Sequence, residues 1–319
     1  MNKSVGYMLV LSGLSDLPSL QLPLFLVFLL VYLMTLSGNL LIVLLICTDS
    51  HLQTPMYFFL GTLACLDMSN SSVTTPRILF DLYTQTRLIS VECCIAQIYF
   101  FLFFISSEIV LLAVMSYDRY VAICLPLHYK QIMHQRNCVL FLSGLLVFGI
   151  VYSLVHTLFL LNLTFCRSKP LQSFFCDIPH LLQVSCSETF INEFLLFFCG
   201  ILFGGGILVL TFYPYIIILN TIMKSPSKTM RSKAFSTCSS HLTVVFIFYG
   251  TAFCNYLDPN AKDSRAASVF YAVLTPLLNP IIYSLRNQDL KTSLKSSSGF
   301  YATYVPKLSS HHFMGSFFI

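Results

Sequence analysis

The stretch of sequence that decides the fold is MSYDRYVAIC, Met115–Cys124. It closes an apolar run that begins near Cys94 and contains only one other charged side chain, Glu108. Charged side chains are costly near hydrocarbon, and those that occur in membrane helices usually mark a functional site. The adjacent Asp118 and Arg119 therefore indicate the cytoplasmic end of a membrane-spanning helix in a bundle. Such a position is typical of a protein that transmits a signal.

The composition also predicts a membrane protein. The 319 residues are 56% hydrophobic and 10% charged, whereas soluble domains carry about 25% charged residues. A helix needs roughly 20 apolar residues to cross the bilayer core, and the apolar runs here are too long for barrel strands. We therefore predict an all-α bundle of seven transmembrane helices. The predicted spans are 23–47, 56–80, 92–125, 138–161, 190–223, 235–257 and 266–285.

The distribution of basic residues predicts the orientation of the bundle. Eleven of the 18 Lys and Arg residues fall on one side of the spans and seven on the other, and cytoplasmic loops carry the excess. We therefore expect an extracellular N-terminal tail at 1–22, the seven-span domain at 23–285, and a short cytoplasmic helix with the C-terminal tail at 286–319. The net charge of +5 is explained by this topology and does not indicate nucleic-acid binding.

Four of the 12 cysteines fall on the predicted outer side, where disulfides form readily: Cys94, Cys166, Cys176 and Cys186. Their spacing does not choose among the three possible connectivities, and no paired C-x-x-C indicates a metal site. Asn2 begins an Asn-X-Ser sequon in the predicted extracellular tail, so it is a candidate glycosylation site.

Polar side chains recur inside the predicted spans. Asn39, Asp67, Glu108 and Asn279 lie in spans one, two, three and seven, and intramembrane carboxylates almost always face a bundle interior. One interpretation is that they join helices through hydrogen bonds. The other, which we favour, is a polar network that rearranges on activation and has room for a sodium ion near Asp67 and Glu108. Pro280 removes a backbone hydrogen bond beside Asn279, so it predicts a hinge in span seven.

These features together resemble a rhodopsin-like (class A) G-protein-coupled receptor, and finer stretches are similar to the odorant (olfactory) receptors, of the class II type. The similar stretches cover residues from about 11 to 295 and include Thr54–Leu60, Met115–Cys124, Lys233–Leu242, Phe248–Thr251 and Pro276–Asn287.

The resemblance implies two disulfides, Cys94–Cys176 and Cys166–Cys186, with Cys93 as the alternative to Cys94. It also implies a coupling site at the cytoplasmic face. There Arg119 would contact the G protein. Asp118 would hold Arg119 when the receptor is inactive, and Tyr215 and Tyr283 would approach Arg119 on activation. The further coupling and switch residues implied are Tyr120, His241, Asn279 and Pro280.

The resemblance places the ligand between the outer halves of spans three, five, six and seven, under the long loop at 162–189. The implied lining residues are Phe101, Leu102, Ile105, Ser106, Cys199, Phe203, Phe253, Tyr256 and Val269, with Tyr249 below them. Each of these residues would also suit a helix core, which is the better interpretation of any one taken alone. Because none carries a charge, we expect a small, neutral, largely apolar odorant that hydrogen-bonds Ser106 or Tyr256.

We therefore expect an odorant receptor in the plasma membrane, of olfactory cilia if it is expressed in sensory neurons. It would activate a stimulatory heterotrimeric G protein and raise cAMP. The alternatives are a non-olfactory chemosensory receptor and a transporter, although the paired halves of many transporters are not seen. An enzyme is not expected, because no nucleophile–base pair or phosphate-binding loop is present. The glycines at 204–206 are predicted to permit close contact between helices.

Overall fold

The computed structural model describes residues 8–15, 17–165, 170–224, 228–256, 269–286 and 290–294. Within these ranges the chain forms seven long helices, each of which overlaps one predicted span. They are α1 (Pro18–Thr48), α2 (Pro55–Thr84), α3 (Val91–Cys124), α4 (Gln135–Leu160), α5 (Phe190–Lys224), α6 (Lys228–Tyr256) and α7 (Thr275–Arg286, preceded by a π-helical turn at Phe270–Leu274). The predicted all-α, seven-helix architecture is confirmed.

Four of these helices, α1, α3, α4 and α5, are long and apolar enough to cross a membrane by length and composition alone among the described residues. Helix α2 has the length, but its buried face carries many hydroxyl, amide and carboxylate groups. Shorter apolar stretches occur in α6 at His241–Phe253 and in α7 at Ala272–Tyr283.

The helix ends follow from local sequence. Helices α1 and α2 each begin with proline, Pro18 and Pro55, whose missing N–H costs nothing in the first turn. The side chain of Ser90 caps α3 by accepting a hydrogen bond from the backbone N–H of Cys93 at 3.2 Å. Because Pro18 already starts a helix, α1 begins five residues before the predicted boundary at 23.

Helices α3 and α4 approach each other closely at Gly149. A Cβ atom at this position would lie 3.0 Å from the backbone oxygen of Phe103 and would also overlap the Ser107 hydroxyl. Only glycine therefore permits this contact, which fixes the height of α4 against α3. A large apolar cluster lies between this contact and the end of the bundle that carries Arg119. We call it the large lower cluster, and it is built from α1, α2, α3, α4, α6 and α7.

The prediction for the glycines at 204–206 is wrong. A Cβ atom on any of Gly204, Gly205 and Gly206 would meet no heavy atom within 4 Å in the described part of the chain. These glycines instead end a π-helical turn at Gly200–Gly205, which widens α5. Glycine lowers helix stability, and π turns inside helices are frequent at functional sites.

The N-terminal segment is described from Met8. Strand β1 (Met8–Val10) pairs antiparallel with β2 (Leu88–Ser90), which lies between α2 and α3. The next residue, Leu11, forms a parallel bridge to Leu171 in the long loop between α4 and α5. We call this end of the bundle the disulfide end, after Cys94 and Cys176, and the opposite end the Arg119 end.

The chain after α7 is described only at residues 290–294, which are helical. Leu290 is fully buried there and packs into the same apolar cluster as Tyr283. The predicted sequon at Asn2 and most of the predicted C-terminal tail lie outside the described residues.

Candidate functional site

An aromatic cluster fills the disulfide end of the bundle. Its buried members are Phe28, Ile78, Phe101, Phe174, Phe175, Ala272 and Val273. The rings of Phe101 and Phe175 lie 5.5 Å apart between centroids. Two further residues of the implied ligand set, Ile105 and Val269, pack against this cluster. The structure thus brings Phe101, Ile105 and Val269 together beneath the long loop.

Phe174 and Phe175 were missed in the sequence. They come directly before Cys176 in a loop. Two adjacent aromatic residues beside a cysteine are the signal that could have identified them. The Cys94–Cys176 disulfide that the resemblance implied is present, so it holds this loop against the start of α3. Cys186 is also disulfide-bonded, and its implied partner Cys166 lies outside the described residues.

Gln97 fastens the loop a second time. Its side-chain oxygen accepts a hydrogen bond from the backbone N–H of Cys176 at 3.0 Å. Its side-chain nitrogen donates to the backbone oxygen of Val73 in α2, also at 3.0 Å. One side chain of α3 therefore joins the loop to α2, and Phe175 is held against Phe101.

Ser106 is buried and its hydroxyl group is already in use. It donates to the backbone oxygen of Leu102, one turn earlier in α3, at 2.6 Å. The hydroxyl oxygen retains a lone pair, so Ser106 is able to accept a hydrogen bond but has no free proton to donate.

The remaining implied ligand residues lie in separate places. Leu102 packs with the disulfide in a second cluster, while Cys199 is buried in α5 and Phe203 lies against Phe148 of α4 at 5.5 Å between centroids. Tyr249 packs against the large lower cluster. Phe253 is 60% exposed, so the structure does not bring it into the aromatic cluster. The Tyr256 side chain lies outside the described residues.

The segment at residues 8–15, which we call the N-terminal clamp, closes over this end. The Arg87 guanidinium donates to the backbone oxygens of Ser12 at 2.5 Å and Ser15 at 2.6 Å. Gly13 adopts a φ of 70°, and a Cβ atom there would lie 2.8 Å from the same guanidinium. Leu9 and Leu11 are buried beneath the clamp, so it is an integral part of the packed bundle.

A cleft lies between the clamp and the first turns of α1. Its lining residues are Gly13, Leu14, Gln21, Ile78, Asp81, Leu82, Arg87 and Phe174. Ile78 and Phe174 also belong to the aromatic cluster, so the cleft adjoins the cluster from outside.

A polar core crosses the middle of the bundle. Asn279 donates to both carboxylate oxygens of Asp67 at 3.0 Å. Asn39 donates to the backbone oxygens of Thr35 at 3.0 Å and Pro276 at 3.1 Å. Asp67 and Asn279 are therefore joined directly, whereas Asn39 is joined to α7 through the backbone oxygen of Pro276, one turn before Pro280.

Glu108 is almost completely buried, as is Asp67, and the Asn70 side chain lies beside it. Carboxylate and amide oxygens are the ligands that hard cations prefer, and the sodium ion near Asp67 and Glu108 stays a prediction. Among the described residues there is no group of three or more His, Cys, Asp or Glu that suits a transition metal.

At the Arg119 end, Arg119 and Asp118 form an ion pair. Arg119 donates to one carboxylate oxygen of Asp118 at 2.6 Å, and Tyr129 donates its hydroxyl to the other at 2.8 Å. Sequence reasoning missed Tyr129, which lies in a short helix (Tyr129–Ile132) between α3 and α4. The Asp118 carboxylate is thus satisfied on both oxygens.

The implied switch tyrosines take no part in the hydrogen bond between Arg119 and Asp118. The Tyr215 hydroxyl hydrogen-bonds the Nδ1 atom of His241, which joins α5 to α6. Tyr283 is buried in the large lower cluster, and Tyr120 packs beside Tyr215. Arg119 therefore interacts with Asp118, and Tyr215 with His241.

This arrangement of seven helices, polar core and charged pair defines a rhodopsin-like seven-helix membrane receptor. The fold matches the crystal structure of squid rhodopsin with a TM-score of 0.71 at 15% identity, over 92% of this chain and 88% of that one. The chain belongs to the olfactory receptor family, whose model matches residues 28–297.

Individual relatives agree with this assignment. The chain is 47% identical to olfactory receptor 1G1 of gorilla (Gorilla gorilla gorilla), over 89% of this chain and 92% of that protein. It is 46% identical to human olfactory receptor 5B12, over 91% and 94% of the two chains. The protein is therefore a membrane-embedded receptor and not an enzyme, which favours the receptor over the transporter alternative.

Proposed function

We propose that this protein binds small, mostly neutral hydrophobic odorants at the disulfide end of the bundle and activates a stimulatory heterotrimeric G protein, raising cAMP. The observation that carries the proposal is the aromatic cluster around Phe101 and Phe175, held under a disulfide-anchored loop. In this proposal the disulfide end faces the outside and the Arg119 end faces the cytoplasm of the plasma membrane.

The surfaces around the cluster support an apolar ligand. The described residues of the implied ligand set carry no ammonium or carboxylate group, and sites between bundle helices are mostly apolar with a few polar groups that fix orientation. Since the Ser106 proton is bonded to Leu102, an odorant would donate to Ser106 rather than accept from it.

The Arg119 end supports a closed resting state. Arg119 is held by Asp118, while the Tyr215 hydroxyl is hydrogen-bonded to His241. A ligand shifts such an equilibrium only by binding the active arrangement more tightly. Odorant binding would therefore favour an arrangement in which Arg119 leaves Asp118 and becomes available to the G protein.

The test is a cAMP reporter assay in cells that express the full chain, with an odorant panel and surface staining. We expect neutral hydrophobic odorants to raise cAMP and the substitution Arg119→Ala to abolish the response while the receptor still reaches the surface. Arg136→Ala is the matched control, because Arg136 is an exposed arginine at the start of α4 and should leave signalling unchanged.

Two results would contradict the proposal. One is full odorant-dependent signalling by Arg119→Ala, which would remove Arg119 from the coupling site. The other is a wild-type receptor that short carboxylic acids or amines activate best, which would be incompatible with an apolar ligand site.

A further inference from the structure

Helix α4 presents one narrow buried stripe to the bundle interior. Gly149, Ser153, His156 and Leu160 follow one another at helical spacing and are all buried. Gly149 sets the closest approach to α3, and His156 lies two turns nearer to the disulfide end on the same stripe. The imidazole therefore points into the bundle, and only 3% of the residue is exposed.

The Nε2 atom of His156 has no hydrogen-bond partner among the residues that the structure describes. Buried polar atoms in proteins nearly always have a partner, and one that lacks it requires an explanation. The neighbouring ring is Tyr152, whose centroid lies 4.7 Å from that of the imidazole. A ring contact of this kind packs the imidazole without satisfying its nitrogen.

His156 is linked to the implied ligand residues through Tyr152. The Tyr152 ring lies 6.2 Å from that of Phe203, and Tyr152 interacts electrostatically with the Cys199 thiol. Both Phe203 and Cys199 belong to the ligand set that the family resemblance implied. The unpartnered nitrogen therefore lies at the α4 side of the bundle, beside two residues of the implied ligand set that stand apart from the Phe101–Phe175 cluster.

We propose that His156 is a specificity-determining residue whose Nε2 atom binds the hydroxyl group of an alcohol or phenol odorant. The proposal rests on the proposed function, which it extends from neutral hydrophobic odorants to hydroxylated ones. A hydroxyl group both donates and accepts, so it satisfies Nε2 in either neutral tautomer of the imidazole. A ketone satisfies only the tautomer with a proton on Nε2, and a hydrocarbon satisfies neither.

The test compares odorants that share a carbon skeleton. Alcohols, the corresponding ketones and the corresponding hydrocarbons are applied to cells that express the full-length receptor, and each concentration–response curve gives an EC50. We expect the wild type to respond to the alcohol at the lowest concentration. In His156→Phe, which keeps a ring and removes both nitrogens, we expect the EC50 of the alcohol to rise about tenfold while that of the hydrocarbon stays the same.

Two further variants make the result specific. His156→Gln restores a polar group that both donates and accepts, so it should recover the alcohol preference. His134→Phe changes an exposed histidine at the Arg119 end and should behave as the wild type. If His156→Phe does not reach the surface, His156→Met replaces it, and the alcohol-to-hydrocarbon EC50 ratio within one cell line is the readout.

The outcomes separate this proposal from the proposed function. An alcohol preference that survives in His156→Phe, or a wild type that responds to hydrocarbons or ketones better than to alcohols, overturns the role of His156 and leaves the odorant receptor intact. If no odorant raises cAMP in cells that display the receptor, the proposed function fails and this proposal fails with it.

Discussion

Asn279 of α7 donates its side-chain amide to both carboxylate oxygens of Asp67 in α2, at 3.0 Å each. The two residues are separated by 212 positions in the chain and are both buried, so this contact joins the second and the last helix in the middle of the bundle. The adjoining Pro280 packs near Gly38 of α1, 3.5 Å from where a Cβ atom would stand. The hinge region predicted in span seven is thus tied to two other helices.

Replacing Asn279 should destabilise the receptor. Asn279→Ala removes the donor and leaves the buried Asp67 carboxylate without this partner, which costs about 1–3 kcal/mol. We expect a lower unfolding temperature of the detergent-solubilised receptor. Asn220→Ala, at an exposed position in α5, is the control and should leave it unchanged. Equal unfolding temperatures for the two variants would show that the contact contributes little.

The close approach at Gly149 gives a matched pair of substitutions in one helix. Gly149→Ala places a methyl group 3.0 Å from the backbone oxygen of Phe103, whereas Gly144→Ala meets nothing within 4 Å. Overpacking of this kind typically costs about 1–3 kcal/mol, so only Gly149→Ala should lower the unfolding temperature. A loss of stability in Gly144→Ala instead would mean that α4 packs differently.

The hydroxyl of Tyr129 should restrain basal activity, given the proposed function. Burial, followed by the charge of the adjacent Asp118, raises the pKa of Tyr129, so this hydroxyl keeps its proton and its hydrogen bond throughout the physiological pH range. Tyr129→Phe removes one of the two bonds that hold the Asp118 carboxylate.

We expect Tyr129→Phe to raise odorant-free cAMP by up to about tenfold, as the loss of about 1.4 kcal/mol from the resting state implies. The reporter signal is normalised to surface receptor. Tyr117→Phe changes a more exposed tyrosine of α3 and should not alter the basal signal. A basal signal at the wild-type level in Tyr129→Phe would exclude this restraint.

The pairing of β1 with β2 predicts a specific cross-link. The backbone N–H of Leu11 donates to the backbone oxygen of Arg87 at 2.8 Å, so Leu11 and Arg87 form a hydrogen-bonded pair. Because the two kinds of pair alternate along an antiparallel ladder, the next pair, Val10 and Leu88, is not hydrogen-bonded, and in such pairs the Cα atoms lie closest. That separation suits a disulfide. The double variant Val10→Cys with Leu88→Cys should therefore cross-link under mild oxidation, detected by mass spectrometry of the joined peptides.

The control for the cross-link is Met8→Cys with Leu88→Cys, because Met8 pairs with Ser90 and not with Leu88. Efficient cross-linking of this pair, or none in the Val10 variant, would contradict the register of the N-terminal clamp.

Much of the fold was predictable from sequence because membrane helices are long, apolar and separated by polar connections. Each of the seven helices overlaps a predicted span, and the Asp118–Arg119 pair lies at the end of α3 as expected. The implied Cys94–Cys176 bridge is also present. Element boundaries were less certain, as the start of α1 at Pro18 shows.

The candidate site was only partly predictable. The partners of Arg87 and Gln97 are distant in sequence, and periodicity carries no information about which polar groups will meet, including the Tyr129 hydroxyl and the Asp118 carboxylate. The exposure of Phe253 and the packing of Phe203 on α4 likewise depend on how the helices are rotated. For the same reason the open surroundings of Gly204 could not be inferred from three adjacent glycines.

The sequence by itself determined the number of helices, the membrane environment and the resemblance to the olfactory receptors, because hydrophobic runs and motifs such as Met115–Cys124 are local properties of the chain. The tertiary structure alone decided that Asn279 meets Asp67, that Phe175 packs on Phe101, and that His156 is buried with an unpartnered nitrogen. Those relationships arise from the rotation and height of whole helices, which are set by the packing of many side chains at once.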